Sequence, residues 1–257
     1  MNYQEMFSPF LNAAADEARR IALSYFRKSF SVDEKSDRTP VTQADRQIEA
    51  SFRAQLAKIF PEHGIIGEEY GMDKAGAEFV WVIDPIDGTK SFAVGRPLFG
   101  TVIGLMHHGQ PVAGMVDQAF TEERWIGFQN AGAHFNGRKI SVAAERPLET
   151  ARSFFGAPNI FTKQDLPNIL RLSEIVKWPH FGCDCYAYGL LAMGCIDLVI
   201  EQDLKWHDIA GILPLITEAG GHVQSWSGKA LSENWDGTII AASGQKLAQS
   251  AAEFLAR

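Results

Sequence analysis

The stretch from Trp81 to Phe92 reads WVIDPIDGTKSF. It starts as an apolar run of strand character. It then places two aspartates three apart, Asp84 and Asp87, with Pro85 beside the first and Gly88 after the second. Carboxylates this close repel one another and are costly to desolvate, so a positive partner is expected between them. Pro85 and Gly88 favour a tight turn in which both carboxylates and the Ile86 carbonyl can converge. Hard divalent cations take oxygen ligands, and Mg²⁺ is typically held by a few carboxylates plus substrate phosphate oxygens. Gly88 and Thr89 read as the start of a helix whose free N–H groups face a phosphate.

The composition sets the frame for that turn. The chain has 257 residues, 46% hydrophobic and 21% charged, the balance of a globular protein with a sizeable core. We expect one domain over 1–257, built from two packed halves of about 1–140 and 141–257. The formal charge is −7 and no basic stripe is present, which argues against a nucleic-acid partner. Cys183, Cys185 and Cys195 are odd in number and lack metal-finger spacing. A disulfide framework is not expected. The first residues lack the apolar segment of a signal peptide, and no run approaches the length of a membrane span. A cytoplasmic protein is the expectation.

Helical spacing of Phe7, Phe10, Leu11, Ala14, Ala18, Ile21, Ala22 and Tyr25 predicts a helix over 3–29. A second follows in VTQADRQIEASFRAQLAKIF and ends before Pro61. HGIIGEEYG reads as a short strand entering a loop, and Phe79–Ile83 as a strand. Thr101–His107, Val112–Val116 and Glu123–Gly127 read as an antiparallel meander turning at 108–110 and 120–121. Beyond about residue 140, ARSFFGAP suggests a strand, then helices over Thr162–Trp178 and Tyr186–Met193. A strand at Ile196–Glu201, a helix over His207–Ala219, a strand at Ile239–Ala242 and a helix over Gln245–Leu255 complete the pattern. Helices pair with a meander first and alternate with strands later, which predicts a layered α/β or α+β enzyme.

The remaining acids stand at element ends: Glu68 and Glu69 after a strand, and Asp208 at a helix start. Each has a plainer reading. Thr42 and Asp45 resemble a capping box, with Asp in place of the usual Glu or Gln. Asp208 suits a helix macrodipole, and Glu68 and Glu69 suit a solvated loop. Their joint occurrence in this order shifts the weight toward a metal site.

Four segments, KSDRTPVTQAD (35–45), GEE (67–69), WVIDPIDGTKSF (81–92) and LKWHDIAG (204–211), resemble the inositol monophosphatase family of metal-dependent, lithium-sensitive phosphomonoesterases. The resemblance covers nearly the whole chain. It implies the layered αβαβα sandwich of the inositol-monophosphatase and fructose-bisphosphatase type, and a homodimer. It further implies that Glu68, Asp84 and the Ile86 carbonyl hold one Mg²⁺ and that Asp84, Asp87 and Asp208 hold a second. A third, weaker ion would lie near Glu68, and Lys35, in the early loop that resembles the family's third-metal loop, would line the phosphate approach. Glu68 and Thr89 would orient the attacking water, Asp45 would bond the Thr89 hydroxyl, and Gly88 and Thr89 N–H groups would hold phosphate. One departure is visible: His207 stands where many members carry the Trp before the late aspartate. We read it as a packing residue beside Asp208. No metal acid is missing, which disfavours a non-catalytic phosphatase-like scaffold.

The segment from His180 to Asp208 is most similar to the histidinol-phosphate phosphatases of that superfamily. Histidinol carries an ammonium and an imidazole, so the extra carboxylate Asp184 would favour it by charge pairing, and the resemblance implies that Glu201, seven residues before Asp208, is the family's substrate-contacting acid. Inositol-1-phosphate, or a broad range of sugar phosphates, is the alternative substrate class. Asp184 as an N-cap for the following helix, and Glu201 as a strand-end charge, are the plainer readings of those two residues. Tyr186 and Tyr188 read as core or interface residues.

Overall fold

The computed structural model describes residues 1–28, 32–34, 40–182 and 184–256. Helices α1 (Tyr3–Tyr25) and α2 (Gln43–Ile59) flank a short hairpin, β1 (Val32–Glu34) and β2 (Pro40–Thr42). The chain then builds an eight-stranded sheet from β3 (Gly64–Gly67), β4 (Gly71–Asp73), β5 (Phe79–Asp87), β6 (Gly100–His107), β7 (Gln110–Gln118), β8 (Glu123–Phe128), β9 (Gly132–Phe135) and β10 (Arg138–Ile140), with the short helix α3 (Thr89–Ala93) between β5 and β6. The order is β10-β9-β8-β7-β6-β5-β3-β4. From β5 to β10 the strands pair antiparallel in sequence order, as the meander predicted, whereas β3 lies parallel to β5.

The second sheet has five strands: β11 (Arg152–Phe155), β12 (Trp178–Phe181), β13 (Leu198–Glu201), β14 (His222–Gln224) and β15 (Ile239–Ala242), in the order β12-β11-β13-β15-β14. Helices α4 (Leu166–Ile175), α5 (Tyr186–Ala192), α6 (Trp206–Ile209), α7 (Ile212–Glu218) and α8 (Gln245–Leu255) complete the chain. Three apolar clusters hold five layers together. The first joins α1 and α2 to one face of the large sheet, around Phe7, Phe10, Phe52 and Trp81. The second packs α5, α6 and α7 between the two sheets, with Trp125, Tyr188 and Ile209 at its centre. The third seats α4 and α8 on the outer face of the small sheet. The result is an αβαβα sandwich. It explains why Phe79–Ile83 is apolar without alternation, since helices cover both faces of β5.

Several predicted boundaries move. The helix over 3–29 ends at Tyr25, where Phe26 turns into a cluster with Phe92, Phe99 and Phe120 and Arg27 adopts φ 57°. Thr162–Trp178 is not one helix. Only Leu166–Ile175 is helical, and Trp178 opens β12, whose pairing with β11 carries no alternating pattern. His207–Ala219 splits into α6 and α7 at Ala210-Gly211 because the chain there presses on the sheet. A Cβ at Gly114 would lie 1.8 Å from the Gly211 carbonyl oxygen, and one at Gly211 would lie 2.5 Å from the Ile103 carbonyl oxygen. Strands β4, β9, β10, β12 and β14 have no counterpart in the sequence reading. They are short, and tertiary pairing rather than local pattern forms them.

Gly114→Ala should therefore lift α6 and α7 off the sheet and destabilise the protein by about 3 kcal/mol, at the upper end of overpacking costs. Thermal denaturation in EDTA reads this directly. An unchanged melting temperature would show that the close seating of α7 does not matter.

Candidate metal and substrate site

The site begins with a break in register. In β5, Asp84 pairs with Val102 and Asp87 with Gly100, so three steps on β5 oppose two on β6. Along a regular strand, residues three apart point to opposite faces. The extra residue restores parity and brings both carboxylates to one side, as bulges beside active sites do. Pro85 has no N–H to lose there, and the buried Thr101 hydroxyl donates to its carbonyl at 2.8 Å. Gly88 then turns at φ 82° and α3 starts at Thr89, as the sequence predicted.

Asp208 arrives from the other half of the chain on α6. Its Oδ2 accepts the Lys205 N–H at 2.6 Å. One oxygen from each of Asp84, Asp87 and Asp208 lies within 4.8 Å of the others. Glu68, Asp84, Ile86, Asp87, Gly88, Thr89, Asp184 and Asp208 all line one cleft of about 190 Å³. Glu201 lines the adjoining cavity of about 170 Å³, together with Asp184, Tyr188 and Asp208. Lys35 lies outside the described residues, as does Cys183.

The electrostatics call for a cation. Burial pushes the Asp84 carboxyl well up, and Glu68, Asp87 and Asp208 push it further. Burial does the same to Asp87, aided by Asp184 and Asp208. Burial raises Asp208 too, with His207 opposing. Asp84 Oδ1 is buried and has no hydrogen-bond partner. An orphaned oxygen in a pure carboxylate and carbonyl donor set fits a hard divalent ion. His207 Nε2 lies 3.6 Å from Asp208 Oδ1, so it stands beside that carboxylate as the sequence suggested.

Two expectations need correction. The Thr89 hydroxyl does not bond Asp45; it donates to the Ile86 carbonyl at 3.0 Å. Asp45 is turned instead to Thr42, whose N–H it accepts at 2.8 Å in a true capping box. Its other oxygen is buried and unpartnered, and burial raises its pKa to about 7. Asp184 is not the N-cap of α5. That place is held by Cys185, whose N–H donates to Asp87. Asp184 accepts from the Ser91 hydroxyl at 2.7 Å, and a Cβ on Gly88 would lie 2.8 Å from its carboxyl. It therefore abuts the Gly88 turn at the start of α3. Glu201 accepts from the Tyr188 hydroxyl at 2.6 Å, and burial raises its pKa to about 8. Tyr188 is buried in the core, as read from the sequence, and also lines that adjoining cavity.

Sequence reasoning missed Glu49. Its buried carboxylate accepts the N–H groups of Glu69 at 2.7 Å and Tyr70 at 3.1 Å, and it pairs with Arg53. A Cβ on Gly67 would lie 2.0 Å from it. Glu49 thereby shapes the loop that carries Glu68. The signal was present: Asp45 and Glu49 are acids four apart on the otherwise apolar stripe of α2.

A family model for inositol monophosphatases matches residues 2–256. The chain belongs to the inositol monophosphatase family. Phosphatases of this family depend on Mg²⁺ in general, in keeping with the oxygen donors above. The bifunctional phosphatase IMPL2 of Arabidopsis thaliana is 41% identical over 227 residues, which are 88% of this chain and 66% of that protein. A histidinol-phosphatase from Chlorobaculum parvum is 32% identical over 237 residues, 88% of each chain. The solved inositol monophosphatase of Zymomonas mobilis superposes with a TM-score of 0.90 at 36% identity, covering 100% of both chains. No helix among the described residues is long and apolar enough to cross a membrane.

Two predictions follow from the charge crowding. Asp87→Asn should abolish turnover yet raise the melting temperature of the metal-free protein, because one of several mutually repelling buried carboxylates becomes neutral; a lower melting point in EDTA would contradict the crowding. The second concerns pH. Glu201 and Asp45 hold their protons to about pH 8 and about pH 7 when folded, against 4.5 and 3.8 for the free groups. A carboxyl with a raised folded pKa favours the folded chain at low pH, and that contribution is lost as pH rises from the free value through the folded one. Melting in EDTA should thus fall from pH 4.5 to pH 8, and Mg²⁺ should restore more stability at the alkaline end. Equal Mg²⁺ effects at both ends would count against it.

Proposed function

We propose that this chain is a Mg²⁺-dependent histidinol-phosphate phosphatase, releasing phosphate and L-histidinol by attack of an activated water. The observation that carries the reading is the acidic wall of the substrate cavity. Asp184 lines both the cleft that holds Glu68 and the adjoining cavity, and Glu201 lines the adjoining cavity, where the alcohol portion of the ester would sit. A cationic alcohol gains from the Asp184 carboxylate and would draw Glu201, which holds its proton to about pH 8 in the empty site, toward its ionised form, whereas a neutral polyol does neither. The histidinol-phosphatase relatives support the assignment.

Glu68, Asp84, the Ile86 carbonyl, Asp87 and Asp208 would hold two Mg²⁺ ions, with a third weaker one near Glu68. When bound, the metal would neutralise phosphate charge and acidify water. The protein's own groups do the rest. Glu68 takes the proton of the attacking water. The Thr89 hydroxyl, held toward the Ile86 carbonyl, orients that water from the other side. The second Asp45 oxygen, buried and without a partner, would be free to accept a hydrogen bond when the site is filled. Gly88 and Thr89 N–H groups at the start of α3 hold phosphate oxygens. A cytoplasmic setting, with Cys185 and Cys195 as free thiols, belongs to the same reading.

Inositol-1-phosphate is the second reading. Lys90 and Arg96 oppose the rise in the Asp184 pKa, so that carboxylate is partly neutralised before any substrate arrives. The likeness to the Zymomonas enzyme points the same way.

Phosphate release from L-histidinol phosphate, inositol-1-phosphate, fructose-1,6-bisphosphate and 3′-phosphoadenosine 5′-phosphate, with Mg²⁺ and with EDTA, separates the readings. We expect a kcat/KM about tenfold or more in favour of histidinol phosphate, the scale of one charged hydrogen bond. Asp184→Ala should raise KM for histidinol phosphate by about the same factor and leave inositol-1-phosphate nearly unchanged. Equal losses on both esters would overturn the charge-pairing argument.

A further inference from the structure

The strand that ends in the aspartates begins beside a different set of ligands. Phe79 pairs with His107, so Glu78 faces His108 across the antiparallel ladder. The His108 N–H donates to the Glu78 carbonyl at 2.9 Å. On a regular strand His107 and His108 would point to opposite faces. His108 instead opens a two-residue turn with Gly109, at φ 49° and 76°, the positive-φ hairpin geometry that matches strand twist. The turn brings the His108 ring to a centroid distance of 4.4 Å from the His107 ring.

The Glu78 carboxylate lies 3.0 Å from His107 Nε2 and 3.9 Å from His108 Nε2. One donor atom from each of the three lies within 4.8 Å of the others. Ligands of a tetrahedral zinc ion, at about 2.0–2.1 Å from the metal, stand roughly 3.4 Å apart. His107 is also oriented from behind. Its Nδ1 lies 2.8 Å from the hydroxyl of the buried Tyr3, and its ring stacks on Phe79 at 4.4 Å and 9°. A hydrogen bond to the second ring nitrogen is the usual support of a metal-bound imidazole.

We propose that Glu78, His107 and His108 form a binding site for a borderline divalent transition ion of the zinc class, separate from the Mg²⁺ cluster. Two imidazoles and one carboxylate favour zinc, nickel or copper over magnesium, which prefers oxygen alone. Simple ion pairing would need only one histidine, whereas the register and the turn bring both to the same carboxylate. Glu78 and His108 are exposed, so a fourth position is open to water and the ion can exchange. Glu78 and Asp84 are six strand positions apart, about 20 Å at about 3.3 Å per residue, so the two sites do not share ligands. An ion here would tie the start of α1, through Tyr3, to the start of β5 and to the β6–β7 turn.

The test is calorimetric titration of the full chain with Zn²⁺ in excess Mg²⁺, with X-ray absorption on the zinc-loaded protein. One Mg²⁺-resistant Zn²⁺ per chain is expected, with imidazole scattering at about 2.0 Å. His108→Asn, chosen because Asn tolerates positive φ, and Glu78→Gln should each weaken zinc binding at least about tenfold, the loss of one good ligand contact. Their melting temperatures in EDTA should match the parent. Asp87→Asn should keep the zinc site. Zinc binding by His108→Asn equal to the parent, displacement of all zinc by Mg²⁺, or a spectrum without imidazole would each overturn the proposal.

Discussion

A single extra residue in β5 underlies the site. Two acids three apart on a regular strand cannot act together, because the pleat sends them to opposite faces. The bulge at Pro85-Ile86 removes that obstacle and collects Asp84, Asp87 and the Ile86 carbonyl on one side. Everything else in the cleft is arranged around this cluster. The buried Thr101 hydroxyl pins the bulge, Gly88 redirects the chain into α3, and Cys185 offers its N–H to Asp87.

The cluster is completed across the sequence. Asp208 belongs to the segment that joins the second sheet to α7, and it reaches Asp84 because Gly104, Gly114 and Gly211 allow helix backbone to rest on strand backbone. A larger residue at any of these would lengthen the gap between the carboxylates. Glu68 is placed by a different device, the Glu49 carboxylate that gathers the N–H groups of its loop. The site is therefore as rigid as the packing of α2 and α7 on the large sheet. Such rigidity suits a group of like charges that would otherwise move apart.

The same crowding makes the metal-free site a source of instability. Buried carboxyls with raised pKa values and an orphaned Asp84 oxygen are costs that the fold alone does not offset. A divalent cation bound among these oxygens would offset them, as in other sites where binding energy is spent on preorganised charge. The adjoining cavity continues this pattern, with Glu201 held by Tyr188 and Asp184 by Ser91.

Local chemistry made part of this legible. Asp84, Asp87, Glu68 and Asp208 could be named from the chain because turn residues, acids and element ends have meanings that depend on few neighbours. The long helices, the apolar run of β5 and the meander followed from periodicity. The partners of polar groups were not legible. Asp45 was expected at Thr89 and is found at Thr42, because helix capping is the nearer competitor for its oxygen. Glu49, the break between α6 and α7, and the edge strand β12 depend on which backbone lies against which. By itself, then, the sequence determined the layered class, the acids and the turn that carries two of them. Only the tertiary structure decided which oxygens remain free, since hydrogen bonds are shared among groups far apart in the chain and close in space.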